Sequence, residues 1–278
     1  MKYLKLMRVK HYIKNLLIFI PLIFSKNLFN IDLLLTTFLG FIVFSLVASI
    51  IYIINDIKDI EKDKLHPIKK NRPLASGKVS LNESYILITI LLIVIIFTYL
   101  LTSLNKISIL ILAIYLIINI AYSFGLKNVP ILDVVFLVIG FILRIIYGAF
   151  LGNIEVSRWL YLTILVFSFF MGFGKRRNEM KKNKNKSRNV LKYYNYEFLD
   201  KVTYMFLTLF IAFYSLWAMS IPSEYMIYTT FLVIIISLKY ILNLENDSFG
   251  DPVDVLLGDK ILLIICFVYV ISVFTLLY

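Results

Sequence analysis

Apolar runs of about 20 residues, the length an α-helix needs to cross a bilayer, recur from one end of this chain to the other. Of its 278 residues, 60% are hydrophobic, and the mean hydropathy is +0.87. A water-soluble domain of this size cannot bury so much apolar surface, so lipid must be the solvent for much of it. The roughly ten-residue alternating strands of a membrane β-barrel are absent from the sequence. The pattern predicts an all-α membrane protein forming a single polytopic domain over 1–278. Nine spans are expected, at 11–29, 33–54, 83–102, 106–124, 130–150, 157–173, 201–221, 224–242 and 260–277.

Charge orients these spans. With the N-terminus in the cytoplasm, 25 of the 29 Lys and Arg residues fall on that face. Five lie in the arm through Lys14, seven in the loop 55–82 and ten in 174–201, together with Lys127, Lys239 and Lys260. Lys26, Lys106 and Arg158 lie opposite, and Arg144 lies within a span. Positive-inside bias therefore accounts for the net charge of +12, and nucleic acid is not an expected partner. One cysteine, Cys266, and two histidines, His11 and His66, cannot build a disulfide framework or a Cys/His metal centre. No small-residue cleavage site follows the basic N-terminus, so a cleavable signal is not expected. The long polar loops gather on the cytoplasmic side, where an active site would open.

The second expected span ends in Asn55-Asp56-Ile57-Lys58-Asp59-Ile60-Glu61-Lys62-Asp63. If the helix continues, Asp56, Asp59 and Asp63 stand at i, i+3 and i+7 and share a face. Like charges so placed repel unless a cation neutralises them. Mg²⁺ suits a few carboxylates completed by water and phosphate oxygens. The competing reading is a solvated helix end paired with Lys58 and Lys62. Pro67, Pro73 and Gly77 then shape a loop that carries Lys69, Lys70 and Arg72. Cations beside a metal are the usual means of holding a diphosphate and stabilising its departure. A loop that is merely positive-inside is the alternative.

These residues resemble the UbiA-type intramembrane prenyltransferase superfamily. Its N-D-x-x-D-x-x-x-D motif is matched by Asn55, Asp56, Asp59 and Asp63, and its R-P-L-x-x-G loop by Arg72-Pro73-Leu74-Ala75-Ser76-Gly77. The resemblance implies a nine-helix bundle with a cytoplasmic-facing active site. Ordinary members carry a second aspartate-rich motif after the sixth span. Here that place holds Gly174-Lys175-Arg176-Arg177-Asn178-Glu179-Met180-Lys181-Lys182, which is cationic. Such a cluster can bind a phosphate without metal, and Lys175 and Glu179 are spaced to pair on one helical face.

With that departure, the chain is similar to the decaprenyl-phosphate phosphoribosyltransferase branch. Further matches are His66-Pro67-Ile68-Lys69, Tyr122-Ser123-Phe124-Gly125-Leu126-Lys127, the span from Asp133 to Arg144, Gly174-Lys175-Arg176, and Asp251-Pro252-Val253-Asp254. The resemblance implies phosphoribosyl diphosphate as donor, a polyprenyl phosphate as acceptor, and a bacterial cytoplasmic (inner) membrane. It leaves oligomeric state open, a homo-oligomer included. Asp56, Asp59 and Asp63 would hold the metal, with Lys69 and Arg72 on the donor phosphates. Asn55, Tyr122, Lys127, Asp133, Arg144, Lys175, Arg176, Glu179, Asp251 and Asp254 would contact substrates.

Each supporting residue has a plainer reading. Tyr and Lys are common at membrane interfaces. Asp133 and Arg144, about 16 Å apart along one helix, are expected to face an interior cavity because intramembrane charge is costly. Arg144 serves equally as a structural partner for another helix. Asp251-Pro252 reads as a helix start, Asp254 and Asp259 also lying in that last loop. Two rival functions remain: prenyl transfer to an aromatic or other small acceptor, disfavoured by the missing second acidic motif, and a transporter or scaffold without chemistry.

Overall fold

A computed structural model describes residues 1–66, 69–102, 105–182, 189–245, 255 and 258–278, and no strand occurs among them. The principal helices are α1 (Lys2–Leu6), α2 (Ile20–Phe24), α3 (Ile31–Lys58), α4 (Ile60–Lys64), α5 (Leu81–Thr102), α6 (Lys106–Ser123), α7 (Leu132–Gly152), α8 (Arg158–Lys182), α9 (Tyr196–Ser220), α10 (Thr229–Glu245) and α11 (Lys260–Leu277). Short 3₁₀ turns cover Lys69–Asn71, Leu126–Asn128, Asn189–Tyr193 and Glu224–Tyr228.

Among the described residues, seven helices are long and apolar enough to cross a membrane. They correspond to seven of the nine expected spans. The expected span 157–173 lies inside α8, whose apolar stretch gives way to Lys175-Arg176-Arg177 before the helix ends. The expected span 11–29 is not one α-helix: a 3₁₀ helix, Val9–Phe19, leads into the five-residue α2. Polar Asn15 is buried there and donates to Ser45 Oγ at 2.9 Å. Pro21 then occupies the first turn of α2, where its missing N–H costs nothing.

Polar side chains mark several helix starts. Asn30 accepts from Leu33 N at 3.2 Å, and Asn195 from Phe198 N at 2.7 Å. Asp259 caps α11 by accepting from Ile261 N at 2.8 Å and Leu262 N at 3.0 Å. Those backbone donors, with Lys239 at 2.9 Å, hold its carboxyl down at about 2. Of the three acids in the last loop, Asp259 is therefore a helix cap. Asp251 and Asp254 lie outside the described residues.

The chain divides into two compact units, Met1–Phe124 with Leu143–Glu155, and Gly125–Ile142 with Val156–Tyr278, so that α7 belongs to both. In the first, α3 is the centre, packed by α5, α6 and the N-terminal segments. Phe44 lies between the rings of Tyr115 at 4.5 Å and Tyr147 at 5.2 Å. Gly148 lets the chain come close to Ile18, since a Cβ at that position would stand 2.0 Å from the Ile18 carbonyl oxygen. In the second unit, α8 and α9 pair along their length through Phe169–Phe206 (4.8 Å) and Phe167–Phe210 (4.9 Å). There α10 packs on α9, and α11 on α10.

A backbone oxygen cannot rotate away as a side chain can. Gly148→Ala is therefore expected to cost about 1–3 kcal/mol, read as a lowered thermal unfolding midpoint in detergent. An unchanged midpoint would show that the contact at Ile18 is slack.

Candidate active site

The acidic motif sits where α3 gives way to α4. Asp59 joins the two helices at φ −96°, ψ 10°, and Asp63 N donates to Asp59 O at 2.8 Å. The winding is thus nearly continuous, which keeps Asp56 and Asp63 on one side. Both are 2% exposed, and Asp59 is half-buried. A single nitrogen, Arg72 Nη1, donates to Asp56 Oδ1 at 3.1 Å and to Asp63 Oδ2 at 2.6 Å. The competing reading of a solvated helix end therefore fails: the acids are buried and neutralised by arginine. Lys58 turns elsewhere, donating to Ser123 O at 3.0 Å with its ammonium 3.4 Å from the Phe124 ring centroid.

The loop that carries Arg72 is anchored by apolar burial. Leu74 and Val79 enter a cluster with Leu6, Ile50, Ile53 and Leu91. Backbone bonds from Ser76 N to Arg72 O (2.9 Å) and from Val79 N to Pro73 O (3.1 Å) tighten it. Gly77 turns the chain at φ +72°, where any Cβ would be strained. Lys69 lies at the start of this loop, half-buried, its backbone N–H donating to His66 Nδ1 at 3.3 Å.

One residue of the site escaped the sequence reading. Arg8 Nη2 donates to Asp56 Oδ1, and its guanidinium lies 4.9 Å from the Tyr52 ring centroid. Arg8 adopts φ 53°, a left-handed conformation uncommon outside glycine. Burial of Leu6 and a bond from Ser49 Oγ to Met7 O (3.0 Å) hold the arm just before it. Farther out, Lys2 and Tyr3 grip Glu83 at 2.6 and 2.8 Å. Glu83 in turn closes a capping box with Ser80 at the head of α5. The usable signal was arithmetical: two buried acids ask for more positive charge than one arginine supplies.

No group of three or more Asp, Glu, His or Cys close enough to hold a metal ion exists among the described residues. The three-carboxylate cage expected from the spacing is thus not preformed. Asp56 and Asp63, which share Arg72 Nη1, still offer two hard oxygen donors on one side. That donor set fits Mg²⁺, which binds one or two carboxylates and completes its shell with water and substrate phosphate.

The second unit holds a different cluster. Asp133, in the first turn of α7, and Arg176, in α8, are each fully buried and paired through Arg176 Nε and Asp133 Oδ2. Arg176 Nη1 also reaches Glu179 at 3.0 Å. Tyr194 donates to Asp133 Oδ1 at 2.7 Å and accepts from Ile131 N. Burial pushes the Tyr194 phenol up to about 12, so it remains a donor at neutral pH. Ile131 itself is at φ 68°, strained for a β-branched residue, and the Tyr194 bond helps to hold it there.

Asp133 and Arg176, both expected to contact substrate, are fully buried and paired with one another in this structure. Glu179 takes Arg176 at i−3 as well. Arg177 is engaged by Asp200 at 2.6 Å and by Glu245, so the cationic segment after Gly174 is in good part structural. Lys175 and Lys127 are half-buried, as is Tyr122 near the end of α6. Arg144, in the first unit, donates to Asn15 Oδ1 at 2.8 Å and to Tyr115 OH at 2.9 Å, with its guanidinium over Phe44 and Tyr115. It is the structural partner of other helices, the plainer of its two readings.

Leaving one member of a buried ion pair uncompensated is costly. Asp133→Leu is expected to destabilise the protein by about 3–5 kcal/mol, and adding Arg176→Leu should restore most of that loss. Thermal midpoints of the single and double variants test this. A double variant no better than the single would mean that the pair does not act as a unit.

Comparison with known proteins places this geometry. Residues 17–254 match the model of the UbiA prenyltransferase family. A decaprenyl-phosphate phosphoribosyltransferase of Corynebacterium glutamicum is 29% identical over 96% of this chain and 84% of its own. One of Mycolicibacterium smegmatis is 30% identical over 94% of this chain and 88% of its own. Among solved structures, a UbiA homolog from Archaeoglobus fulgidus bound to GPP and Mg²⁺ superposes with a TM-score of 0.71, covering 100% of this chain and 99% of that one at 19% identity.

Proposed function

The chain belongs to the UbiA prenyltransferase family, and from that premise we propose that it transfers 5-phosphoribosyl from phosphoribosyl diphosphate to a polyprenyl phosphate, releasing diphosphate. The observation that carries this reading is similarity along nearly the whole chain to two proteins named decaprenyl-phosphate phosphoribosyltransferase. The absence of a second aspartate-rich motif from 174–182 supports it, while Arg176 and Arg177 there serve the fold.

Asp56 and Asp63 hold Mg²⁺ in this reading, with Asp59 beside them, and Asn55 opens the motif. When bound, the ion supplies Lewis-acid stabilisation to the departing diphosphate. Arg72 and Lys69 bind the donor's phosphate oxygens through charge-assisted hydrogen bonds. In the second unit, Lys127 and Lys175 hold the acceptor phosphate, while Asp133, Arg176, Glu179 and Tyr194 fix α7 and α8; Tyr122 is a substrate contact of the first unit. An acceptor oxygen forms a bond to the anomeric carbon as the carbon–diphosphate bond breaks, and diphosphate leaves with that bond's electron pair. A phosphate monoester is already ionised at neutral pH, so no strong general base is required. Nine crossings with the N-terminus in the cytoplasm, the cytoplasmic membrane as location and a site open to the inner face complete the reading.

The test pairs labelled phosphoribosyl diphosphate with labelled prenyl diphosphate, each supplied with polyprenyl phosphate and with small aromatic acceptors. Label from phosphoribosyl diphosphate should enter a lipid product identified by mass spectrometry. Incorporation of prenyl label alone would transfer the protein to the rival chemistry. Asp56→Ala should lower turnover by about 10²-fold or more, and near-normal rates in the folded variant would refute the metal role.

A further inference from the structure

We infer that Arg8 is a counter-ion latch: it occupies Asp56 in the resting protein, keeping divalent metal from the site until a diphosphate arrives to take the guanidinium. The inference rests on the reading of Asp56 and Asp63 as metal ligands, and it adds a residue and an order of binding to it.

Asp56 is 2% exposed and accepts from two guanidinium groups at the same oxygen, Oδ1: Arg8 Nη2 and, at 3.1 Å, Arg72 Nη1. Arg72 also holds Asp63 at 2.6 Å. Both arginines remain partly open, with side chains 22% and 27% exposed, so an anion can reach them from solvent. A cation approaching alone must displace a guanidinium from the carboxylate and leave that buried-edge charge uncompensated. A metal–diphosphate complex brings the replacement partner with it. The carboxylate passes to the metal, the guanidinium passes to the diphosphate in a bidentate pair, and every charge stays matched.

The arm is built for such an exchange. Its anchors, Leu6, Lys2 and Tyr3, lie outside the ion pair and persist when the pair opens. Tyr52 offers the guanidinium an aromatic face next to Asp56.

The test is Mn²⁺ binding by electron paramagnetic resonance on purified full-length protein without donor. Wild type should bind Mn²⁺ weakly alone and tightly once inorganic diphosphate is added. Arg8→Gln should bind Mn²⁺ alone roughly tenfold more tightly, the weight of about one neighbouring unit charge. Arg8→Lys should stay near wild type, and Asp56→Asn added to Arg8→Gln should erase the gain. Equal Mn²⁺ affinity in Arg8→Gln and wild type overturns the latch, as does tight Mn²⁺ binding to wild type without diphosphate, a measurement that needs no variant. No protein-bound Mn²⁺ even with diphosphate overturns the metal reading together with the latch. A latch that behaves as expected in a protein that does not turn over labelled phosphoribosyl diphosphate leaves the latch standing and removes only the substrate assignment.

Discussion

Two carboxylates withdrawn from water at the end of a membrane-spanning helix are the constraint around which the first unit is arranged. A buried charge must be matched or the helix end cannot stay where it is. Asp56 and Asp63 are matched by arginines from two separate segments, one before the spanning helix and one after it. Neither arginine could be held without its own apolar anchor, and Leu6 on one side and Leu74 with Val79 on the other share a single cluster. The electrostatics of the site and the packing beneath it are therefore one arrangement. The same logic recurs in the second unit, where the charges of a fully buried Asp133 and Arg176 match each other, with Tyr194 on the acid and Glu179 on the arginine.

Local signals in the sequence read well. Apolar runs of spanning length became helices at 31–58, 81–102, 106–123, 132–152, 196–220 and 260–277, because in lipid the backbone has no other way to satisfy its hydrogen bonds. The spacing of Asp56 and Asp63 correctly signalled a shared side, and the Arg72 loop lies beside it; Asp59, at the junction of two helices, does not close a three-acid cage with them among the described residues. Pro21 and the polar Asn15 explain why the segment 9–24 winds as 3₁₀ helix before a short α-helix rather than as one continuous α-helix.

What the sequence could not disclose was pairing over distance. Arg176 and Asp133 stand 43 residues apart, and nothing local shows that they meet. Each taken alone looked like a group waiting for a substrate. Arg8 failed in the opposite direction: inside a basic arm that positive-inside bias already explains, one arginine with a specific partner is indistinguishable from its neighbours. Arg144 could be read either as ligand-binding or as structural, and only the positions of Asn15 and Tyr115 decide it.

The reach of the N-terminal arm also sets an order on biogenesis. Arg8 pairs with a residue 48 positions later, and Lys2 with one 81 positions later. During synthesis, Arg8 therefore has no counterpart until α3, the first long helix, has emerged, and the arm is not clasped at Glu83 until α5, the second, has begun. The charge of the arm is thus matched only once the helix end it serves exists, well before Asn15 of the same unit can meet Arg144, 129 positions later.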